Sequence, residues 1–301
     1  MKTVKNKSLQ DIQENTTYAY CAFYLDEESY YSVENCNFID CSFRSSVLLN
    51  KVEGCKFQNC GFSSKLVISL NNNWLREIPR DIGQLQNLTH LNLGYNQLTE
   101  ISKEIGQLQN LTYIDLNNNW LTEISKEIGQ LQNLTHLDLN NNRLIEISKD
   151  IGQLQNLTHF NLWNNELTEI PKDIGQLQNL THLNLGYNQL TKIPKEIGQL
   201  QNLTHLDLQE NKLTEIPKDI GQLQNLTYLI LNNNRLREIP KEMGQLQNLT
   251  YLNLWSNKLT EIPKNIGQLQ NLTELYLREN DFSGRYKSEL LKLLPNCKID
   301  F

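Results

Sequence analysis

The sequence predicts an α/β solenoid, a right-handed coil with a parallel β-sheet on its concave side and short helical turns on its convex side. Three observations carry the prediction. A segment recurs with a strict 23-residue period, its full copies beginning at Leu85, Leu108, Leu131, Leu154, Leu177, Leu200, Leu223 and Leu246 without insertion or deletion. Such self-similarity marks stacked repeats. Apolar and polar residues alternate around Leu91 and Leu93 and their equivalents, the spacing of a strand with one buried face. Each copy then runs from a Pro or Ser through Lys and an acid to Gly and Gln, as at Pro171 to Gln176, which suits one short helical turn.

Residues 1–61 are expected to form an N-terminal cap rich in Cys and Phe. Five of the six cysteines fall in C-x-F or related units: Cys21/Phe23, Cys36/Phe38, Cys41/Phe43, Cys55/Phe57 and Cys60/Phe62. The stretch from Val33 to Val47 recurs nineteen residues later, and this spacing in fives resembles pentapeptide-repeat proteins. The resemblance implies a right-handed β-helix with four five-residue sides to a coil, Cys36 stacked near Cys55 and Cys41 between Cys21 and Cys60. There the thiols would face inward as small apolar groups. Two other readings stay open, a four-thiolate zinc site built from Cys36, Cys41, Cys55 and Cys60, or disulfides if the protein is exported.

Residues 62–280 are expected to hold about ten repeats, because Phe62 to Gln84 fit the register from Ile68 onward and a degenerate copy starts at Leu269. Leu85, Leu88, Leu98, Ile101 and Ile105 join Leu91 and Leu93 inside, so each coil has an apolar interior that only its neighbours cover. Asn96 and its equivalents Asn119, Asn142, Asn165, Asn188, Asn211, Asn234 and Asn257 stand where the chain leaves the strand. A buried amide there can satisfy turn backbone of adjacent coils, and losing it should cost about 1–3 kcal/mol. Pro171, Pro194, Pro217, Pro240 and Pro263 suit the first residue of the helical turn, and Ser102, Ser125 and Ser148 in their place offer a capping hydroxyl. The glycine at Gly106, Gly129 and onward calls for positive φ or tight packing.

The run L-x-x-L-x-L-x-x-N-x-L, for example Leu88, Leu91, Leu93, Asn96 and Leu98, resembles leucine-rich-repeat proteins over about four-fifths of the chain. The I-P-x-x-I-G-x-L-x-N-L half is similar to the 23-residue repeats of spirochaete bacteria. The resemblance implies a leucine-rich-repeat horseshoe from a bacterial source that binds proteins, with export or surface exposure and host molecules as partners. Residues 281–301 complete it as a C-terminal cap, a helix from Ser288 to Leu294 stopped by Pro295 and a last strand from Lys298 to Phe301.

Bulk properties narrow the function. A net charge of −6 with no basic block argues against nucleic acid as partner. No run approaches the length of a membrane span, and the lysines of Met1 to Gln10 are followed by no apolar export segment, so the sequence by itself reads as cytoplasmic and as a monomer. Nucleophile-elbow, phosphate-loop and metalloprotease motifs are missing, which points to a non-enzyme without cofactor.

The sixth, eighth, tenth, eleventh and thirteenth repeat positions are expected to project from the concave face or its rim, and they vary most between copies. They supply the expected protein-binding residues: Trp163 and Trp255 at the tenth, Tyr95, Tyr187 and Glu210 at the eleventh, Trp120, Arg143 and Arg235 at the thirteenth, and Tyr113, Tyr228 and Tyr251 at the sixth. Trp, Tyr and Arg are the residues that dominate interface hot spots. All five histidines share the sixth position, and His136, His159, His182 and His205 should form an imidazole ladder along neighbouring strands, with Asp115, Asp138 and Asp207 two residues further on. That row supports a second reading, a metal- or pH-responsive binding protein, against the plain one in which a single His was copied with its repeat.

Overall fold

The computed structural model describes the chain except residues 1, 27–28, 35, 45–46, 54–55, 59, 63–65 and 79. It divides into two compact units, Met1–Asp138 and Leu139–Phe301.

In the first unit the opening residues stack as parallel columns. One column holds Lys2–Lys5, Thr16–Ala19, Asn37–Ile39 and Lys56–Gln58, and a second holds Ser8–Leu9, Ala22–Phe23, Ser42–Phe43 and Gly61–Phe62. The third starts at Tyr30–Glu34, Val47–Glu53 and Leu66–Ser69 and runs on into Leu88–Asn92, Tyr113–Asp115 and His136–Asp138. Asn37 pairs with Lys56 and Ser42 with Gly61, the nineteen-residue offset read from the sequence. Among the described residues the first coil has two strand sides and the following coils three, where four sides were expected. The interior is aromatic: Tyr18 stacks on Phe38 at 5.2 Å and Phe23 on Phe43 at 4.7 Å. Cys21, Cys36 and Cys41 are buried beside them, and among the described residues none is joined in a disulfide. Cys55, and with it the four-thiolate reading, lies outside the described residues. Because the third column is shared, the first coils cover the strand edge that the repeats would otherwise expose.

In the second unit His159–Asn161, His182–Asn184, His205–Asp207, Tyr228–Ile230, Tyr251–Asn253, Glu274–Tyr276 and Lys298–Asp300 pair in sequence order, all parallel. One repeat advances one rung, so equivalent positions form straight rows. The framework leucines and isoleucines of every coil are buried, most of them completely, while Ile145 is exposed and Ile230 half-buried.

Each helical turn is a five-residue 3-10 helix, such as Lys172–Gln176, closed by a bond from Ile174 N–H to the Pro171 carbonyl at 3.1 Å. Pro171 therefore caps the helix from outside, with φ −63° and ψ 143°, instead of being its first residue. The extended ψ is the reason: the residue before the turn must aim its carbonyl inward while proline fixes only φ. Of the three serines in that place, Ser148 accepts from Asp150 N–H at 3.3 Å, whereas Ser102 and Ser125 donate to the carboxylates of Glu104 and Glu127 and cap nothing. The glycine is explained by close stacking. A Cβ on Gly175 would lie 2.7 Å from the Glu196 carbonyl of the next coil. Positive φ falls instead on the eleventh position, from Tyr95 at 55° to Ser256 at 52°.

The asparagine row behaves as expected. Asn188 donates from Nδ2 to the carbonyls of Leu162 and Leu185 at 3.0 and 3.1 Å, and its Oδ1 accepts from Leu167 N–H at 3.0 Å. One amide thus ties two coils. At the far end the α-helix is Gly284–Leu293, four residues earlier in its start than expected because Ser283 caps it by accepting from Tyr286 N–H. The Tyr286 hydroxyl bonds both backbone groups of Ile262, and Lys298–Asp300 adds the last strand. Among the described residues no helix is long and apolar enough to cross a membrane.

Candidate binding face

Two hollows open on the strand side, one in each unit, and they differ in chemistry. In the first unit Asn72, Trp74, Tyr95, Gln97, Asn118 and Trp120 line a space of about 300 Å³. Rings and neutral amides make its wall, with no charged side chain among them. Trp74, Tyr95 and Trp120 are 77%, 57% and 42% exposed, more than a solenoid needs to leave in water. Trp74 was absent from the expected site. Its signal was in the register, since it stands two periods before Trp120 at the same thirteenth position.

In the second unit His159, His182, His205, Asp207 and Tyr228 line a space of about 350 Å³ together with Asn161 and Asn184. The rings of His159, His182 and His205 stack at 4.4 and 4.3 Å with interplanar angles of 9° and 12°, and Tyr228 continues the stack at 4.8 Å. His136, expected in the same ladder, belongs to the first unit, where its ring lies 5.9 Å from Tyr113. Each imidazole is steered by the threonine before it: Nδ1 of His159, His182 and His205 lies 2.9, 2.9 and 2.8 Å from Thr158, Thr181 and Thr204 Oγ1. Burial, aided by the charge His159 would carry, holds His205 below the usual histidine pKa.

Asp207 forms the floor. Its carboxylate accepts from the backbone and side-chain amides of Gln209 at 3.0 and 2.8 Å, and burial pushes its pKa up. Burial raises Asp115 likewise in the first unit, with Asp138 adding to the shift, and it raises Tyr113 and Tyr251. Among the described residues no group of three or more His, Cys, Asp or Glu is arranged to hold a metal ion.

The tenth position is more enclosed than an exposed rim. Gly94, Gly186 and Asn232 there are buried, and half-buried Trp163 packs on the Tyr187 ring at 4.9 Å; Trp255 is exposed at 37%, as are Asn71 and Arg278 in the first and last repeats. Arg143 and Arg235 are exposed at the thirteenth position, Glu210 is half-buried at the eleventh, and Tyr228 is exposed while Tyr113 and Tyr251 are half-buried at the sixth.

The repeat geometry agrees with comparisons to known proteins. A family model described as a leucine-rich-repeat region matches residues 103–189 and 172–298, and a second leucine-rich-repeat model matches 64–121. Among solved structures, a leucine-rich-repeat protein of Leptospira interrogans is 33% identical over 86% of this chain and 89% of its own, with a TM-score of 0.42. An internalin (inlF) of Listeria monocytogenes is 20% identical over 85% of this chain and 80% of its own, at a TM-score of 0.65. The PEPR1 chain solved as PEPR1–AtPEP1 is 25% identical over 95% of this chain and 44% of its own, at a TM-score of 0.69. No curated protein matches. With the models covering well over half its length, the chain belongs to the leucine-rich-repeat family.

Proposed function

We propose that this protein is a non-enzymatic scaffold that binds a partner protein on its strand face, with residues 1–61 and 281–301 closing the ends of the stack. One observation carries the reading. Tyr95 and Tyr187 sit at φ 55° and 53° and are exposed, at a position the chain fills most often with asparagine, as at Asn118, Asn141, Asn164 and Asn233, and otherwise with small or polar residues such as Ser256 and Glu210. A left-handed backbone costs an ordinary residue about 1–2 kcal/mol, which asparagine largely avoids. Apart from the Tyr187 contact with Trp163 these rings are left to solvent, and rings presented to solvent are what an interface uses. Trp74 and Trp120 add to this face in the first unit, and Trp255 in the second.

Capture from host-cell surface extract by the wild type, a Trp163→Ala/Trp255→Ala variant and a Trp74→Ala/Trp120→Ala variant tests this. A partner lost from one aromatic variant supports the face. Retention by both moves the site elsewhere. Host molecules are the proposed partner source because the 23-residue repeat resembles that of spirochaete bacteria, and a monomer is the expected state. The pH-responsive reading keeps one supporting observation, the depressed pKa of His205 within its stack. Its metal counterpart has none.

A further inference from the structure

We propose that the hollow of the second unit is a receptor for an arginine side chain of the partner, its guanidinium seated between Asp207 and His205. This rests on the strand face being the binding surface, and it specifies the chemistry recognised there.

The argument starts with a hydroxyl. Thr204 Oγ1 donates its one hydrogen to the Thr181 carbonyl at 2.9 Å, so towards His205 it can only accept. Nδ1 of His205 must then carry the proton, 2.8 Å away, and Nε2 carries the lone pair. Thr181 imposes the same tautomer on His182 by donating to the Thr158 carbonyl. The ladder is thereby set as a row of acceptors. Stacking at 4.3 Å opposes protonation of both rings at once, because two imidazolium rings that close repel.

The floor adds more acceptors. At the eighth position Asn161, Asn184 and Asn253 accept from the N–H two residues on, as Asp207 does. Asparagine serves this turn equally well, so the turn does not explain the charge of Asp207. The carboxylate is half-buried with neutral amide donors only, a state that a counter-cation relieves. Carboxylate and imidazole Nε2, both lining the hollow, ask for donors.

A guanidinium meets this set better than any other side chain. It has five N–H donors in a plane and pairs two of them with a carboxylate, leaving others for a second acceptor. The His205 and Tyr228 rings cover each other's faces at 4.8 Å and leave their edges to the hollow, so His205 Nε2 is that second acceptor. An ammonium would match the charge but not the plane.

The test titrates acetyl-Gly-Arg-Gly-amide into the full chain at neutral pH, with the citrulline and lysine peptides in parallel, and follows the histidine ring signals by NMR. The arginine peptide is expected to shift the His205 and His182 rings saturably and to bind about ten-fold tighter than the neutral citrulline isostere. Asp207→Asn, which keeps the turn as Asn184 does, should weaken it by a similar factor, and so should His205→Tyr, a residue the chain already carries in that row. Equal binding of citrulline, equal binding of lysine, or indifference to Asp207→Asn each overturns the assignment. No protein partner enters the readout. Arginine binding alongside unchanged capture by the tryptophan variants would therefore sink only the scaffold reading.

Discussion

The turn side and the strand side of each coil are built to different criteria. On the turn side every coil repeats the same solution: a five-residue 3-10 helix, a glycine pressed against the next carbonyl, and an asparagine that bonds two coils at once. On the strand side the chain accepts features that cost stability, tyrosines in left-handed backbone, a half-buried carboxylate without a cation and tryptophans in water. Stability and recognition have been assigned to opposite faces, so substitutions on the two faces should have opposite signs.

The largest effect is expected from Asn188→Ala. It strands the Leu167 N–H in the core and takes one bond each from the Leu162 and Leu185 carbonyls, and urea unfolding should show a loss of about 2–3 kcal/mol. Gly175→Ala follows, since its methyl meets backbone of the next coil 2.7 Å away; a loss of about 2 kcal/mol is expected in the same assay. If either variant unfolds like the wild type, the framework is less tightly built than its geometry says. Tyr187→Asn should go the other way, gaining about 1 kcal/mol by relieving the backbone. A loss there would mean that the contact with Trp163 matters more than the strain.

Asp207→Asn should also stabilise, by a pH-dependent amount. Burial raises the folded pKa of Asp207 above its ordinary 3.8, so the ionised form costs stability above that range and the cost disappears as pH falls towards 3.8. The variant should melt higher than wild type at neutral pH, and the gap should close on acidification. His205 has the opposite linkage. Its folded pKa is lowered, so its contribution is present above the ordinary 6.5 and is lost as pH falls through that value. Melting temperatures of wild type, Asp207→Asn and His205→Tyr across this range separate the two. The smallest effect on stability, within about 0.5 kcal/mol, is expected from Trp74→Ala/Trp120→Ala, which should act on partner capture alone.

Much of this was legible in the sequence because a strict period converts residue types into places. The strands, the buried Leu and Ile rows, the asparagine role and the sixth-position row followed from register alone. What was not legible depends on backbone angles or on neighbours in the next coil. Pro171 could be placed beside the turn but not outside its first residue, because only ψ distinguishes the two. Ser102 and Ser125 offered caps but found an acid two residues on. The tenth position looked like a rim and is a half-buried shelf, because the left-handed residue after it turns the chain back over the strand edge. Thr204 gave no sign that it would fix a tautomer, since that needs the Thr181 carbonyl of the preceding coil.

The absence of any insertion between Leu154 and Leu269 has a consequence for how such a surface can change. Every coil adds one strand spacing, about 4.8 Å, so side chains on the strand face stand at whole-number multiples of one step. Trp163 and Trp255 are four coils apart in the second unit. Deleting or duplicating a complete coil at the DNA level would leave each remaining junction chemically identical while moving these two residues by one step. The protein is in that sense a ruler with movable marks, adjustable to partners of different length by recombination before any residue is altered.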